Sequence, residues 1–123
     1  MPFVDTDFLV ALLKDDDWLK KNALKIYHHY KGKLWTSEFV VIELLLISQR
    51  LKLDPEIVVI DIYELVQVEG QQKNAILLAA NYIKEGVGVF DAIHAACSDS
   101  DTIISSDNVF DDLGLVRLKL EKE

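Results

Sequence analysis

Short apolar runs alternate with longer segments of helical periodicity along this chain, and this alternation restricts the fold more than any single motif. Strands that alternate with helices form parallel βαβ units, so the pattern predicts a layered α/β sandwich. Strands are expected at 2–4, 34–36, 66–68, 102–105 and 115–118, and helices at 8–13, 18–30, 39–51, 55–65, 71–84 and 90–98.

The composition predicts a single domain over residues 1–123, because half of the residues are hydrophobic and provide a substantial core. No apolar run approaches the roughly 20 residues that span a membrane, and the N-terminus has no pattern of a secretion signal. The single cysteine, Cys97, excludes an internal disulfide and fits a reducing compartment. We therefore expect a cytoplasmic protein without membrane contact.

The formal net charge of −8 argues against nonspecific binding to nucleic acid, because contacts to phosphate need Lys and Arg. It does not exclude a metal-dependent nuclease, in which carboxylates bind cations and the cations meet the phosphate. The densest basic segment, 20–33, interleaves five lysines with Tyr and His. It fits either a surface for single-stranded RNA or a solvated helix face.

Asp5 and Asp107 occupy equivalent places, each at the carboxyl end of a predicted strand. In open parallel sheets ligands bind at this edge. An Asp between a strand and a helix is also a common N-cap, and Thr6 or Asp7 can share that role after the first strand. The two positions therefore predict either helix caps or a ligand site at one edge of the sheet.

Glu43 lies in the most apolar of the predicted helices, and its neighbours three and four positions away are apolar: Phe39, Val40, Leu46 and Ile47. A carboxylate among such residues is desolvated unless a metal ion, a cationic side chain or protonation compensates, or unless the helix end is open to solvent. If the charge is buried, Glu43→Gln is expected to stabilise the metal-free protein.

Asp91 opens an alanine-rich helix, AIHAAC, in which the small residues allow close packing against a sheet. A helix cap is the alternative role for Asp91. His94, one turn later, is interpreted as a packed residue rather than as a ligand or a base. Taken together, two acids at strand ends and two on helices predict one pocket of carboxylates, which favours Mg²⁺ or Mn²⁺ over zinc.

Four motifs, VDTD, VVIELLL, FDAIHAAC and ISSDNVF, occur in this order and resemble the PIN domain, in particular the toxin ribonucleases of VapBC toxin–antitoxin systems. The resemblance implies a three-layer α/β/α sandwich around a mostly parallel sheet of about five strands, with the first strand central. It also implies that Asp5, Glu43, Asp91 and Asp107 bind one or two Mg²⁺ or Mn²⁺ ions and cleave RNA phosphodiester bonds.

The resemblance further implies an antitoxin protein as partner and a homodimer. Thr6, Asp7 and Ser105 are candidates for the hydrogen bonds that orient the ligand carboxylates. The chain departs from the family where Ser105 replaces a frequent Thr, and where Ser106 and Asn108 stand in place of a frequent Arg or Lys.

Three other classes of protein share parts of this pattern. A receiver module needs an acidic pair, a mid-chain Asp and a Lys after its last strand, but Asp54 precedes Pro55 and no Lys directly follows the strand at 102–105. A haloacid-dehalogenase-type phosphatase needs a longer chain. A PIN-like scaffold that keeps the acids and acts mainly by binding a protein is the alternative from a different functional class.

Overall fold

The computed structural model describes residues 1–70 and 73–122. Its strands are β1 (Phe3–Val4), β2 (Trp35–Ser37), β3 (Gln67–Glu69), β4 (Ile103–Ser105) and β5 (Arg117–Lys119). Its helices are α1 (Thr6–Leu13), α2 (Lys20–His29), α3 (Glu38–Ile47), α4 (Pro55–Leu65), α5 (Lys73–Lys84), α6 (Val89–Cys97) and α7 (Val109–Asp112).

The five strands form one parallel sheet in the order β3-β2-β1-β4-β5, with β1 in the centre. Phe3 of β1 is in register with Trp35 on one side and with Ile103 on the other. Every residue of β1 and β4 is buried, as expected when helices cover both faces of a parallel sheet. The prediction of a three-layer parallel α/β/α sandwich with a central first strand is confirmed.

The strand order reverses between β1 and β4, and this reversal positions the site. The chain continues from β1 to β2 and β3 on one side, whereas β4 and β5 lie on the other side. In open α/β sheets the connections diverge at such a point and leave a crevice at the carboxyl ends of the strands. Asp5 directly follows β1 and Ser106 directly follows β4, so both lie at this crevice.

The core is built on the two central strands. Phe3 and Val4 pack with Ile103 and Ile104, all fully buried, and helices add further large apolar side chains from both faces. His94 of α6 is also fully buried in this part of the molecule. No described helix has the length and hydrophobicity needed to cross a bilayer.

Several predicted boundaries were wrong for local reasons. Helix α2 begins at Lys20 rather than at 18, which leaves Trp18 in the preceding turn, where it is 77% exposed. Helix α3 ends at Ile47 rather than at 51, because the chain turns through Lys52 with a positive φ of 59°. Strand β5 starts two residues later than expected, and α7 was not predicted. Residues 71 and 72, predicted as the start of α5, lie outside the described residues.

Candidate metal centre

All four acids singled out by the sequence line one pocket of about 460 Å³ at the carboxyl edge of the central strands. Asp5 follows β1, Glu43 projects from α3, Asp91 from α6, and Asp107 follows β4. Up to 102 residues of the chain separate these positions, from Asp5 to Asp107. Asp5 and Asp107 come together because parallel strands end at the same edge of the sheet.

Asp5 is both a helix cap and the most buried of these acids. Its Oδ1 accepts a hydrogen bond from the Thr6 amide at 2.7 Å, and its Oδ2 accepts one from Ser105 Oγ at 2.8 Å. Burial raises the pKa of Asp5 to about 7; repulsion from Asp7 adds to this effect, and His94 opposes it. One side chain, that of Asp5, therefore both caps helix α1 and lines the acidic pocket.

Glu43 is held by two donors rather than left isolated among apolar residues. His94 Nε2 lies 2.8 Å from its Oε1, and Thr6 Oγ1 donates to the same oxygen. Burial alone raises the pKa of Glu43, but the hydrogen bonds from His94 and Thr6 outweigh it and the net pKa is lowered. The expectation that Glu43→Gln stabilises the metal-free protein assumed an uncompensated charge. Because His94 and Thr6 compensate this charge, the structure favours the opposite result.

His94 is the site residue that the sequence analysis missed. Its Nε2 contacts Glu43 and lies 3.8 Å from Asp5 Oδ1, while the described residues offer Nδ1 no hydrogen-bond partner. A proton on Nδ1 would be buried without an acceptor, so the proton belongs on Nε2 and is donated to Glu43. Its position one turn after Asp91 was the available clue, since residues three apart share a helix face.

The segment after β4 is tied to the start of α1. Ser106 donates to Asp7 Oδ2 through its amide at 2.9 Å and also through its hydroxyl. Ser105 Oγ accepts a hydrogen bond from the Asp107 amide at 3.0 Å, and Asp107 Oδ1 accepts one from the Val109 amide at 3.0 Å. These bonds hold Asp107 at the pocket and cap the turn into α7.

Burial raises the pKa values of Asp7 and Asp91, and the negative charge of the pocket adds to this effect. For Asp7, burial is the main cause, opposed by the bonds from Ser106. For Asp91, burial is again the main cause, followed by repulsion from Asp107. Carboxylates that raise one another's pKa values are stabilised by a bound cation.

The donor set suits a hard divalent ion. One ligand atom each from Asp5, Glu43 and His94 lies within 4.8 Å of the others. His94 fits less well as a ligand, because freeing Nε2 of its proton would bury an unpaired Nδ1–H. Oxygen ligands remain, from Asp5 and Glu43, while Asp91 and Asp107 line the same pocket outside this tight group. Such ligands favour Mg²⁺ or Mn²⁺.

The family is established by sequence. Residues 3–115 match the family model of the PIN domain. The chain belongs to the PIN domain family. The matched segment of this PIN domain contains all four acids of the pocket. No curated protein is significantly similar to it.

Solved structures similar to this PIN domain include VapC20 of Mycobacterium tuberculosis, a toxin that cleaves the sarcin-ricin loop. VapC20 is 21% identical with a TM-score of 0.82, and the alignment covers 97% of this chain and 99% of VapC20. A toxin–antitoxin complex from Klebsiella pneumoniae is 11% identical with a TM-score of 0.77 over 100% of both chains.

VapBC2 of Rickettsia felis, bound to a DNA fragment from its promoter, is 13% identical with a TM-score of 0.74. This alignment covers 96% of this PIN domain and 97% of the other chain. At such identities the likeness concerns the fold. Together with the family match it confirms the family and the fold that the four motifs indicated.

Proposed function

We propose that this PIN domain is a metal-dependent ribonuclease that hydrolyses phosphodiester bonds. The observation that carries the proposal is the convergence of Asp5, Glu43, Asp91 and Asp107 on one pocket at the switch point of the sheet. The fold's likeness to VapC20, a toxin that cleaves the sarcin-ricin loop, favours RNA as the substrate. Mg²⁺ or Mn²⁺ is the proposed cofactor.

The acids of the pocket would hold the ion in this proposal. Asp5 and Glu43 would be its main ligands, and Asp91 and Asp107, which line the same pocket, would be further ligands. A bound divalent ion would lower the pKa of a water and stabilise charge on the phosphate. The surrounding hydroxyls and the imidazole orient the carboxylates through the bonds described above: Thr6, Ser105 and His94.

A cleavage assay with total RNA tests the proposed activity. The purified protein is expected to cut RNA with Mg²⁺ or Mn²⁺ and to stop when EDTA removes the ion. Cleavage that persists in EDTA would contradict the metal-dependent reaction. Absence of cleavage with either ion would favour the scaffold alternative, which gains some support because Lys and Arg are absent among the described residues that line the pocket.

Ser105 provides a test of how the metal ligands are oriented. Ser105→Ala removes the hydroxyl that donates to Asp5 and accepts from the Asp107 amide, so Mn²⁺ affinity is expected to fall by about 10- to 100-fold. Ser105→Thr keeps the hydroxyl and is expected to bind Mn²⁺ nearly as tightly as the wild type. Isothermal titration calorimetry measures both; equal affinity in all three proteins would contradict this role.

We also propose that the protein is the toxin of a toxin–antitoxin pair and acts in the cytoplasm. Support comes from similar folds in toxin–antitoxin complexes of Klebsiella pneumoniae and Rickettsia felis. The proposed partner is an antitoxin that covers the acidic pocket. Co-expression with a neighbouring small gene, followed by purification of the complex, tests this; a complex that cleaves RNA as fast as the free chain would contradict an inhibitory partner.

A homodimer is the proposed oligomeric state. Large apolar side chains are exposed on adjacent helices α3 and α4, including Leu46 at 69% and Ile60 at 57%, and such residues favour association. Light scattering at micromolar concentration is expected to give twice the chain mass of 14.0 kDa. A monomer mass over the same concentration range would contradict the dimer.

A further inference from the structure

Trp18 lies in the turn between α1 and α2, where it is 77% exposed and yet lines the same pocket as the four acids. The turn is anchored, because Asp17 Oδ1 accepts a hydrogen bond from the Leu19 amide at 2.9 Å and the Leu19 side chain is buried. The backbone that carries Trp18 is therefore held in place, and its indole is exposed to solvent. Packing within the described chain does not explain why so large an apolar side chain is exposed at this place.

The pocket lining changes from acidic to apolar along α3 and in the turn that follows it. Glu43 and Ile47, four residues apart on α3, both line the pocket, and Leu51 lines it from the turn after the helix. Four residues of an α-helix advance about 6 Å along its axis, so the apolar side chain lies about one turn from the carboxylate. Val10 on α1 follows Thr6 by the same spacing and also lines the pocket. Both helices thus lead from the carboxylates to an apolar surface.

Positive charge is scarce at this pocket. Among the described residues that line it, none is Lys or Arg. Lys20, near Trp18 in sequence, directs its Nζ to the carbonyl oxygens of Leu12 and Lys14, both at 2.9 Å. Within this pocket, contacts to phosphate would therefore come from a bound ion, and affinity for RNA would benefit from a further source. Stacking of bases on aromatic side chains provides such a source.

We propose that Trp18 stacks against an unpaired base of the RNA beside the bond that is cleaved. This inference rests on the proposed ribonuclease function and adds the residue that selects unpaired RNA. A base inside a duplex is already stacked on both faces, so the indole discriminates against paired substrate. The neighbouring apolar wall, with Val10 and Ile47, shields the stacked base from water.

Intrinsic fluorescence reports the stacking directly. The chain has two tryptophans, and Trp35 is half-buried outside this pocket, with its Nε1 bonded to the Met1 carbonyl and to Asp101. In stopped-flow mixing with Mg²⁺, a ten-residue oligoadenylate is expected to quench the wild type before any product forms. The same oligomer paired with oligouridylate is expected to quench it far less. Trp18→Phe is expected to lose the quenching and to keep most of the affinity.

Affinity and kinetics provide the second measurement. Trp18→Ala is expected to raise Kd for the oligoadenylate, and KM for any RNA that the wild type cleaves, by about tenfold. The value of kcat should change by less than about threefold, because stacking holds the substrate and the transition state alike. Tyr63→Ala, which removes an aromatic side chain 56% exposed on α4 and outside the pocket, is the matched control and should leave both constants unchanged.

The outcomes separate this inference from the proposed function. If the wild type cleaves RNA but Trp18→Ala has unchanged Kd and KM, stacking is wrong, and Trp18 is better explained as a contact for a protein partner. If the wild type cleaves no RNA and yet single-stranded RNA quenches Trp18, stacking stands and the proposed reaction is wrong. Equal quenching by single-stranded and duplex RNA would overturn the selection of unpaired bases.

Discussion

Asp5→Asn is expected to reduce Mg²⁺- or Mn²⁺-dependent RNA cleavage by about a thousandfold or more, because a metal ion contributes several kcal/mol to stabilising the transition state. Asparagine preserves the shape of the side chain and can still accept the cap hydrogen bond from the Thr6 amide. The loss should therefore reflect the missing charge rather than a misfolded site. Single-turnover cleavage with saturating metal measures the effect.

Asp16→Asn is the matched control for this prediction. It removes the same charge from a carboxylate whose side chain is 87% exposed and lies outside the pocket. Its cleavage rate is expected to stay within about twofold of the wild type, as surface substitutions have small effects. Wild-type activity in Asp5→Asn, or equal losses in the two variants, would contradict the assignment of Asp5 as a metal ligand.

The same substitution, Asp5→Asn, is expected to stabilise the metal-free protein at pH 8 by roughly 2 to 4 kcal/mol. Burial raises the pKa of Asp5 from 3.8 to about 7, so between these values the unfolded chain ionises while the folded protein keeps its proton. The contribution of Asp5 to the free energy of unfolding is therefore fully present below pH 3.8. The wild type loses this contribution progressively as the pH rises through 7. Asparagine carries no such penalty.

Urea unfolding in EDTA between pH 4 and pH 8 measures this difference. The free energy of unfolding of Asp5→Asn should exceed that of the wild type only slightly near pH 4 and most near pH 8. Glu43→Gln is an internal control of opposite sign, because the lowered pKa of Glu43 means that its charge stabilises the fold above pH 4.5. If the wild type is as stable as Asp5→Asn at every pH, the claim that burial raises the pKa of Asp5 is contradicted.

Position at the edge of a parallel sheet was readable from the sequence. Asp5 and Asp107 follow apolar runs that became β1 and β4, and the rule that parallel strands end at one edge was sufficient to bring them together. Asp91 and Glu43 were placed on helices by periodicity, and both project into the same pocket. These features depend on local pattern and on topology, which a sequence specifies.

Features that depend on contacts between distant parts of the chain could not be predicted from the sequence. Helix α3 is apolar around its whole circumference, so periodicity did not reveal which side of Glu43 was buried or that His94 would supply a donor. His94 stands in a helix of small residues, where packing is its usual role. Trp18 was predicted to begin a helix over 18–30, whereas α2 begins two residues later and leaves the indole in the turn.

The identity of the pocket as a metal centre is tested most directly by anomalous scattering from crystals soaked in Mn²⁺. We expect a peak at about 2.1 Å from carboxylate oxygens of Asp5 and Glu43, with Asp91 or Asp107 facing the same ion directly or through water. Asp5→Asn crystals soaked in the same way should lack the peak. Saturating Mn²⁺ that gives no peak in the wild-type pocket, or peaks only elsewhere on the surface, would contradict the assignment.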